Sequence, residues 1–172
     1  MIVKPPAAPN SLSHIGPDGR ARMVDVSAKP ETERYATAEA VVRVSPELAR
    51  KIADNSLAKG NLLETARLAG IQAAKRTPDL IPLCHPLPLE HVEVRAVLEA
   101  DAVRITTEAR AHARTGVEME ALAAAAVAAL TVIDMGKSVD RSMVIERIRV
   151  LEKRGGRSGT YTAPPIVEEE GR

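Results

Sequence analysis

The sequence predicts an α+β chain of the ferredoxin-like, split βαβ class, with an antiparallel sheet and helices on one face. Three observations carry this. After residue 34 the patterns run strand, helix pair, strand, strand, helix, strand. A long uncharged run rich in alanine and leucine, Ala121 to Ile133, reads as one buried helix. A short apolar stretch, Arg22 to Val26, offers an extra N-terminal strand that would extend the sheet. The 172 residues suit one domain with a sizeable core.

Residues 1–11 are rich in proline and alanine, lack periodicity and read as a disordered tail; residues 12–161 form the single domain, and 162–172 read as a flexible acidic tail. Pro17-Asp18-Gly19 signals a turn. Tyr35 to Val44 alternates and ends on Val41, Val42 and Val44, which predicts a strand. Ser45-Pro46-Glu47 has the order of cap, first-turn proline and first-turn acid, opening a helix to about Asn55. Lys59-Gly60 breaks it, and Asn61 caps a second helix over Leu62–Lys75. Prolines 78, 82, 86 and 88 then forbid a helix and set Cys84 and His85 on a stiff loop. Val92–Ala100 and Ala102–Ala111 both alternate and read as a hairpin.

The long helix is expected over Gly116–Met135. The Thr115-x-x-Glu118 capping box would start it and Gly136, in a left-handed conformation, would stop it. Its apolar run is too short to span a bilayer. Glu120 and Asp134 are fourteen residues apart, about 40° short of four turns and roughly 21 Å along the axis. They share a face but not one small site. Two such helices packed antiparallel across a twofold, close at Ala123–Ala126, would bring Glu120 of one near Asp134 and Lys137 of the other. Ser142 to Lys153 is the last strand, apolar at Val144, Ile148 and Val150, and the segment from Arg154 reads as loose.

Composition excludes several classes of function. With 24 basic and 23 acidic residues the net charge is +1, against the basic excess of a nucleic-acid binder. Phe and Trp are absent and only Tyr35 and Tyr161 are aromatic, so base stacking on aromatic platforms is not available. One cysteine precludes an internal disulfide and fits a reducing compartment. No apolar leader or transmembrane run is visible, so the expectation is a cytoplasmic protein with no membrane partner.

The residues suited to chemistry each have two readings. Glu118 is either a capping carboxylate or a site acid. Glu120, past the cap, is either a solvated charge or a buried one. Asp134 and Lys137 are either a surface ion pair or a proton-transfer pair tuned by burial. His85 is either structural or functional, and Cys84 has no evident base partner. Lys59 beside Gly60, and Arg157 within Gly155-Gly156-Arg157-Ser158-Gly159, suit phosphate binding. Lys75 is either a helix-end charge or a further cation. The four histidines and Cys84 match no zinc spacing, so no metal site is expected. Together the groups suit acid–base chemistry on a phosphorylated small molecule.

Five blocks then point to a family: MVDVSAK (Met23–Lys29), AGIQAAKRTPDLIPLCHPL (Ala69–Leu87), TGVEMEAL (Thr115–Leu122), DMGKSVDRSM (Asp134–Met143) and GGRSG (Gly155–Gly159). They closely resemble the cyclic pyranopterin monophosphate synthase family, the molybdenum cofactor biosynthesis protein C family, over about Leu12–Tyr161. The resemblance implies a ferredoxin-like subunit in a homohexamer, a trimer of dimers with interface sites. It implies conversion of 3′,8-cyclo-7,8-dihydro-GTP to cyclic pyranopterin monophosphate and pyrophosphate. By motif position, Asp134 matches the catalytic acid–base, Lys59 and Lys137 the essential lysines, and Glu118 an active-site carboxylate. Leu83, Cys84, His85, Met119 and Glu120 match substrate-contacting segments, with His85 also in the catalytic set; Lys75 and Arg157 join Lys59 as candidate phosphate-binding cations. No tightly bound cofactor is implied; magnesium could arrive with the triphosphate. The chain departs from the family at Ile133, where an aromatic is common, and at Arg157, where lysine is common. The competing reading is a non-catalytic, nucleotide-binding oligomeric sensor, which would need the phosphate binders but not Asp134 and Lys137.

Overall fold

The computed structural model describes residues 14–16 and 18–166. The elements are β1 (Thr32–Arg43), α1 (Pro46–Ala53), α2 (Leu62–Ala74), α3 (Thr77–Leu80), β2 (Leu89–Leu98), β3 (Ala102–Ala113), α4 (Glu118–Gly136), β4 (Val144–Arg154) and β5 (Tyr161–Thr162). The sheet order is β2-β3-β1-β4-β5, every pairing antiparallel. With β3 between β1 and β2, and β4 on the other side of β1, this is the ferredoxin-like split βαβ arrangement expected from the sequence.

The core is thin because its side chains are small. Along β1, Ala36, Ala38, Ala40 and Val42 are buried with period two. Ala121, Ala124, Ala125, Ala128, Ala129 and Val132 of α4 are buried on the face it turns inward, against β1, β3 and α2. The alanines expected to let two copies approach are therefore partly spent within the chain: Ala124 and Ala125 are fully buried. A β-carbon on Gly70 of α2 would lie 2.9 Å from the Ala124 carbonyl oxygen and 3.2 Å from both Val94 methyls, so glycine lets α2 and α4 touch. By length and mean hydropathy α4 could cross a membrane, but here its apolar face is the core of the fold.

Several local expectations are corrected. Arg22–Val26 is not a strand; one bridge, Ile15 to Ala21, precedes it, and the Val24 carbonyl accepts from a side chain of the candidate site instead of a strand. The fifth strand comes from the other end: β5 pairs with β4, and the chain continues with Ala163 N–H donating to the Leu151 carbonyl at 2.7 Å. The segment after Arg154 thus folds back; Gly155 and Gly156 have φ of 95° and 75°, which make the turn. The expected tail at residues 1–11 and the end of the acidic tail, 167–172, lie outside the described residues.

Pro78 does not prevent a helix. It sits in the first turn of α3, where its missing N–H costs nothing. The capping box of α4 is not formed; Val117 is the cap residue, with no side-chain bond, and Glu118 is already helical. Gly136 is the last residue of α4 and has no positive φ; a β-carbon there would meet Leu48 at 2.7 Å and Met143 at 3.1 Å, so space selects glycine. In β4, Ile145, Ile148 and Val150 pair with Val42, Ala40 and Ala38 of the inward face across a register shift, but Ile148 remains exposed, and Val144 lies opposite the exposed Arg43.

Candidate functional site

One cleft is built where three chain segments meet at the start of α4. The Leu83-Cys84-His85 loop, held between prolines 82 and 86, faces Gly116–Glu120 and His14, Val24, Val26 and Lys29 of the segment before β1. The cavity holds about 320 Å³ and is lined by His14, Lys29, Cys84, His85, Glu118 and Glu120, with Leu83 and Met119 among its apolar walls. His85 Nε2 lies 2.8 Å from the Val24 carbonyl oxygen. A carbonyl can only accept, so Nε2 carries the hydrogen and a neutral ring leaves Nδ1 as the free base. That bond also explains what the MVDVSAK segment does structurally: it orients the imidazole.

Glu120 is 3% exposed, and no cation among the described residues lowers its carboxyl. Burial, opposed by its own backbone N–H and reinforced by the Glu118 charge, pushes its carboxyl up to about 7. The same surroundings push the Cys84 thiol up, through burial first and the charge of Glu120 second. Cys84 is thus not an activated nucleophile in this chain. Glu118 folds its carboxylate onto Gly116, in space that a β-carbon at 116 would occupy.

A second, basic cleft of about 520 Å³ opens beside the first, and Lys29, Thr115, Gly116 and Glu118 line both. It adds Arg34, Arg114, Lys153, Arg154 and Arg157, around the glycine turn. Arg34 is buried; its Nε donates to the Ala113 carbonyl at 3.0 Å and its guanidinium packs over Gly156, where a β-carbon would collide with it. Lys153 Nζ donates to Ser158 Oγ. The Thr32 hydroxyl, also lining the cleft, is buried without a protein partner among the described residues. The sequence reading singled out Arg157 but not Lys29, Arg34, Arg114 or Lys153. Lys29 stood inside a recognised block; the other three lie in strands or at a strand end, where a basic residue looks like solvent-facing alternation.

The remaining candidates lie at the opposite end of α4. Lys59 Nζ donates to the Asp134 carbonyl at 2.7 Å and to Oδ2 at 3.2 Å, and Lys137 Nζ donates to Oδ1 at 2.6 Å. Lys59 and Lys137 line a third cavity with Ile133, Ser138 and Asp140. The Asp134 side chain is 59% exposed, so burial does not tune it as the sequence reading allowed. Hydrogen bonds from Lys137 and then Lys59 hold its carboxyl below the usual range. Lys75 caps the end of α2, exposed, and lines none of the three cavities among the described residues.

A ferredoxin-like subunit that joins a carboxylate–imidazole cleft to a basic, glycine-turned cleft has the features of a small-molecule enzyme acting on a phosphorylated ring compound. The chain belongs to the MoaC family, which it matches over residues 23–156. It is 56% identical over 157 residues to a cyclic pyranopterin monophosphate synthase of Methylobacterium sp. (strain 4-46), an alignment covering 90% of this chain and 98% of that protein.

Proposed function

We propose that this chain is a cyclic pyranopterin monophosphate synthase of molybdenum cofactor biosynthesis, converting 3′,8-cyclo-7,8-dihydro-GTP to cyclic pyranopterin monophosphate and pyrophosphate. The observation that carries this reading is the joined pair of clefts. One offers groups that move protons near neutrality, the other offers six cations, counting Lys29 and Arg154, for a triphosphate. Opening the imidazole portion of the guanine and closing the pterin are proton-transfer steps, served by Glu118, Glu120 and His85 Nδ1. A sugar hydroxyl then loses its proton and attacks the α-phosphorus. The new P–O bond forms as the bond to the β-phosphate bridge breaks, and pyrophosphate leaves with the electron pair. Arg34, Lys153 and Arg157 stabilise the charge that accumulates. Magnesium would enter on the triphosphate oxygens.

Asp134, Lys59 and Lys137 join this site from a second copy. On α4, Met119, Glu120, Ala123, Val127, Leu130, Asp134 and Lys137 form one stripe about 100° wide on the side away from the sheet. Leu130 at its centre is 57% exposed, unusual for a leucine on an otherwise packed helix. Two helices meeting antiparallel about Val127 cover that leucine and set Asp134 of one chain level with Glu120 of the other. The assembly we propose is the homohexamer of three such dimers, in the cytoplasm, where the single free thiol stays reduced. Purified protein incubated with the cyclised dihydro-GTP should release pyrophosphate and an oxidisable pterin in equal amounts. Absence of both products from a correctly folded oligomer overturns the assignment and leaves a binding-only role.

A further inference from the structure

We propose that Asp140 is a positioning residue: it latches the start of α1 to the turn after α4, and through α1 it holds Lys59 on Asp134. The proposal rests on the reading above, in which Asp134, Lys59 and Lys137 take part in the reaction. Asp140 lies inside the DMGKSVDRSM block but is not one of its candidate residues. It is 5% exposed. A carboxylate taken out of water is costly unless its oxygens are bonded, and here three donors meet it. Oδ1 accepts from the Ser142 N–H at 2.8 Å and from Ser142 Oγ at 2.6 Å, and Oδ2 accepts from the Ser45 N–H at 2.7 Å. The Ser142 side-chain bond, helped by the Ser45 N–H, holds its carboxyl below the usual range against the opposing effect of burial.

The bonds to Ser142 close a local turn, as an aspartate two residues ahead commonly does. The bond to Ser45 does something else, because it spans 95 positions of the chain. Ser45 is the cap residue of α1, and its Oγ accepts the Leu48 N–H at 3.3 Å. Leu48 is fully buried and packs where a β-carbon on Gly136 would stand, at 2.7 Å. The end of α4 therefore grips α1 at two points, Asp140 on Ser45 and Gly136 on Leu48. Beyond α1 the chain turns at Asn55, with φ of 49°, and is pinned by the buried Leu57 two residues before Lys59.

The two lysines on Asp134 are thus held in different ways. Lys137 stands three residues away at the end of the same helix, and its bond to Oδ1 depends on α4 alone. Lys59 arrives from another segment, and its bonds to the Asp134 carbonyl and Oδ2 depend on where α1 sits against α4. Asp140 fixes that placement. Its loss should release Lys59 and leave Lys137 in place, a difference that general loosening of the fold does not produce.

The test is acylation of the lysine amines of the full folded chain, followed residue by residue by peptide mass spectrometry, beside kcat and KM for pyrophosphate release. Circular dichroism verifies folding. Asp140→Ala should speed labelling of Lys59 by about two- to fivefold, the range that an exposed ion pair spans, with Lys137 labelled as in wild type. It should lower kcat by roughly 10–10²-fold with little change in KM. Ser45→Pro removes the other half of the latch, the N–H donor, at a φ of −69° that proline adopts. It should act as Asp140→Ala does, and it decides the matter if Asp140→Ala does not fold. Ser45→Ala loses the hydroxyl cap but keeps the N–H, and should leave Lys59 labelling unchanged. Unchanged Lys59 labelling in a folded Asp140→Ala or Ser45→Pro protein overturns the latch, as does a rise shared equally by Lys59 and Lys137. Unaltered kcat in a protein whose Lys59 is released overturns the role in the reaction. Wild-type protein without turnover would refute the proposed activity instead, and the labelling rates would still decide the latch.

Discussion

Two carboxylates at either end of one helix are driven in opposite directions by their surroundings. Glu120 is buried without a cation and its carboxyl is raised to about 7; Asp134 is exposed between two amines and is lowered. In the proposed reaction this divergence would let one helix supply both an acid and a carboxylate base near neutral pH. Asp134→Asn is nearly isosteric and leaves the lysines in place, so it should cut turnover about 10²–10⁴-fold with little change in melting temperature. Steady-state pyrophosphate release checks this, and unaltered turnover would remove Asp134 from the chemistry. Glu120 makes a stability prediction. Its folded pKa, about 7, lies above the unfolded 4.5. The stabilisation from holding its proton is therefore complete below about 4.5 and is lost as pH rises through about 7. In the Leu130→Glu background, where no partner lysines approach, Glu120→Gln should be more stable than its parent above about pH 8 by up to roughly 3 kcal/mol. The gap should close below about pH 5. Urea titrations at both pH values measure it; a gap independent of pH would show that Glu120 is not desolvated as described.

Among the elements, α4 is the one on which everything else is placed. Its inward face is alanine, which lets it lie close to β1 and against α2 at Gly70. Gly70→Ala should therefore destabilise the fold by about 1–3 kcal/mol, although alanine is the better helix former by about 1 kcal/mol. The reason is that the new methyl meets backbone at Ala124, which cannot rotate away. A denaturation midpoint equal to or above wild type would mean that α2 shifts freely. The loop before β2 acts differently: prolines 82, 86 and 88 hold Cys84 and His85 without regular structure, and the His85 bond to Val24 ties the N-terminal segment down. Arg34 does the same for the glycine turn, since its guanidinium fills the space beside Gly156. Site geometry in this protein rests on such long-range side-chain ties rather than on the ends of strands.

At the scale of the molecule, α4 keeps Glu120 and Asp134 apart, roughly 21 Å along its axis. One chain then holds the joined acidic and basic clefts at one end and an aspartate–lysine pair at the other. Glu120→Gln and Asp134→Asn proteins, each inactive, should regain activity when unfolded together and reassembled, because some interfaces then contain one site with both native groups. With random reassembly about a quarter of the sites are intact. Confirmed subunit exchange without recovered activity would place the whole site within one chain.

Much of this was legible in the residues alone. The order of elements, the Asn61 and Ser45 caps, the hairpin and the buried α4 all follow from periodicity and local backbone chemistry, which act over a few residues. The blocks around Cys84, Glu118 and Asp134 also announced which residues to examine. Other features depended on contacts between segments far apart in the chain. Arg34 enters the basic cleft because β1 runs beside the glycine turn, and no spacing within β1 marks it. Arg22–Val26 is a strand candidate by sequence, yet its Val24 carbonyl is taken by His85 and it joins no sheet, while Tyr161–Thr162 pairs with β4. Gly136 looked like a left-handed stop and is a matter of room beside Leu48. Local sequence determined which elements form, since propensity and capping are short-range; only the tertiary structure decided which charges are buried and which cavities they share, since burial depends on what the rest of the chain brings alongside.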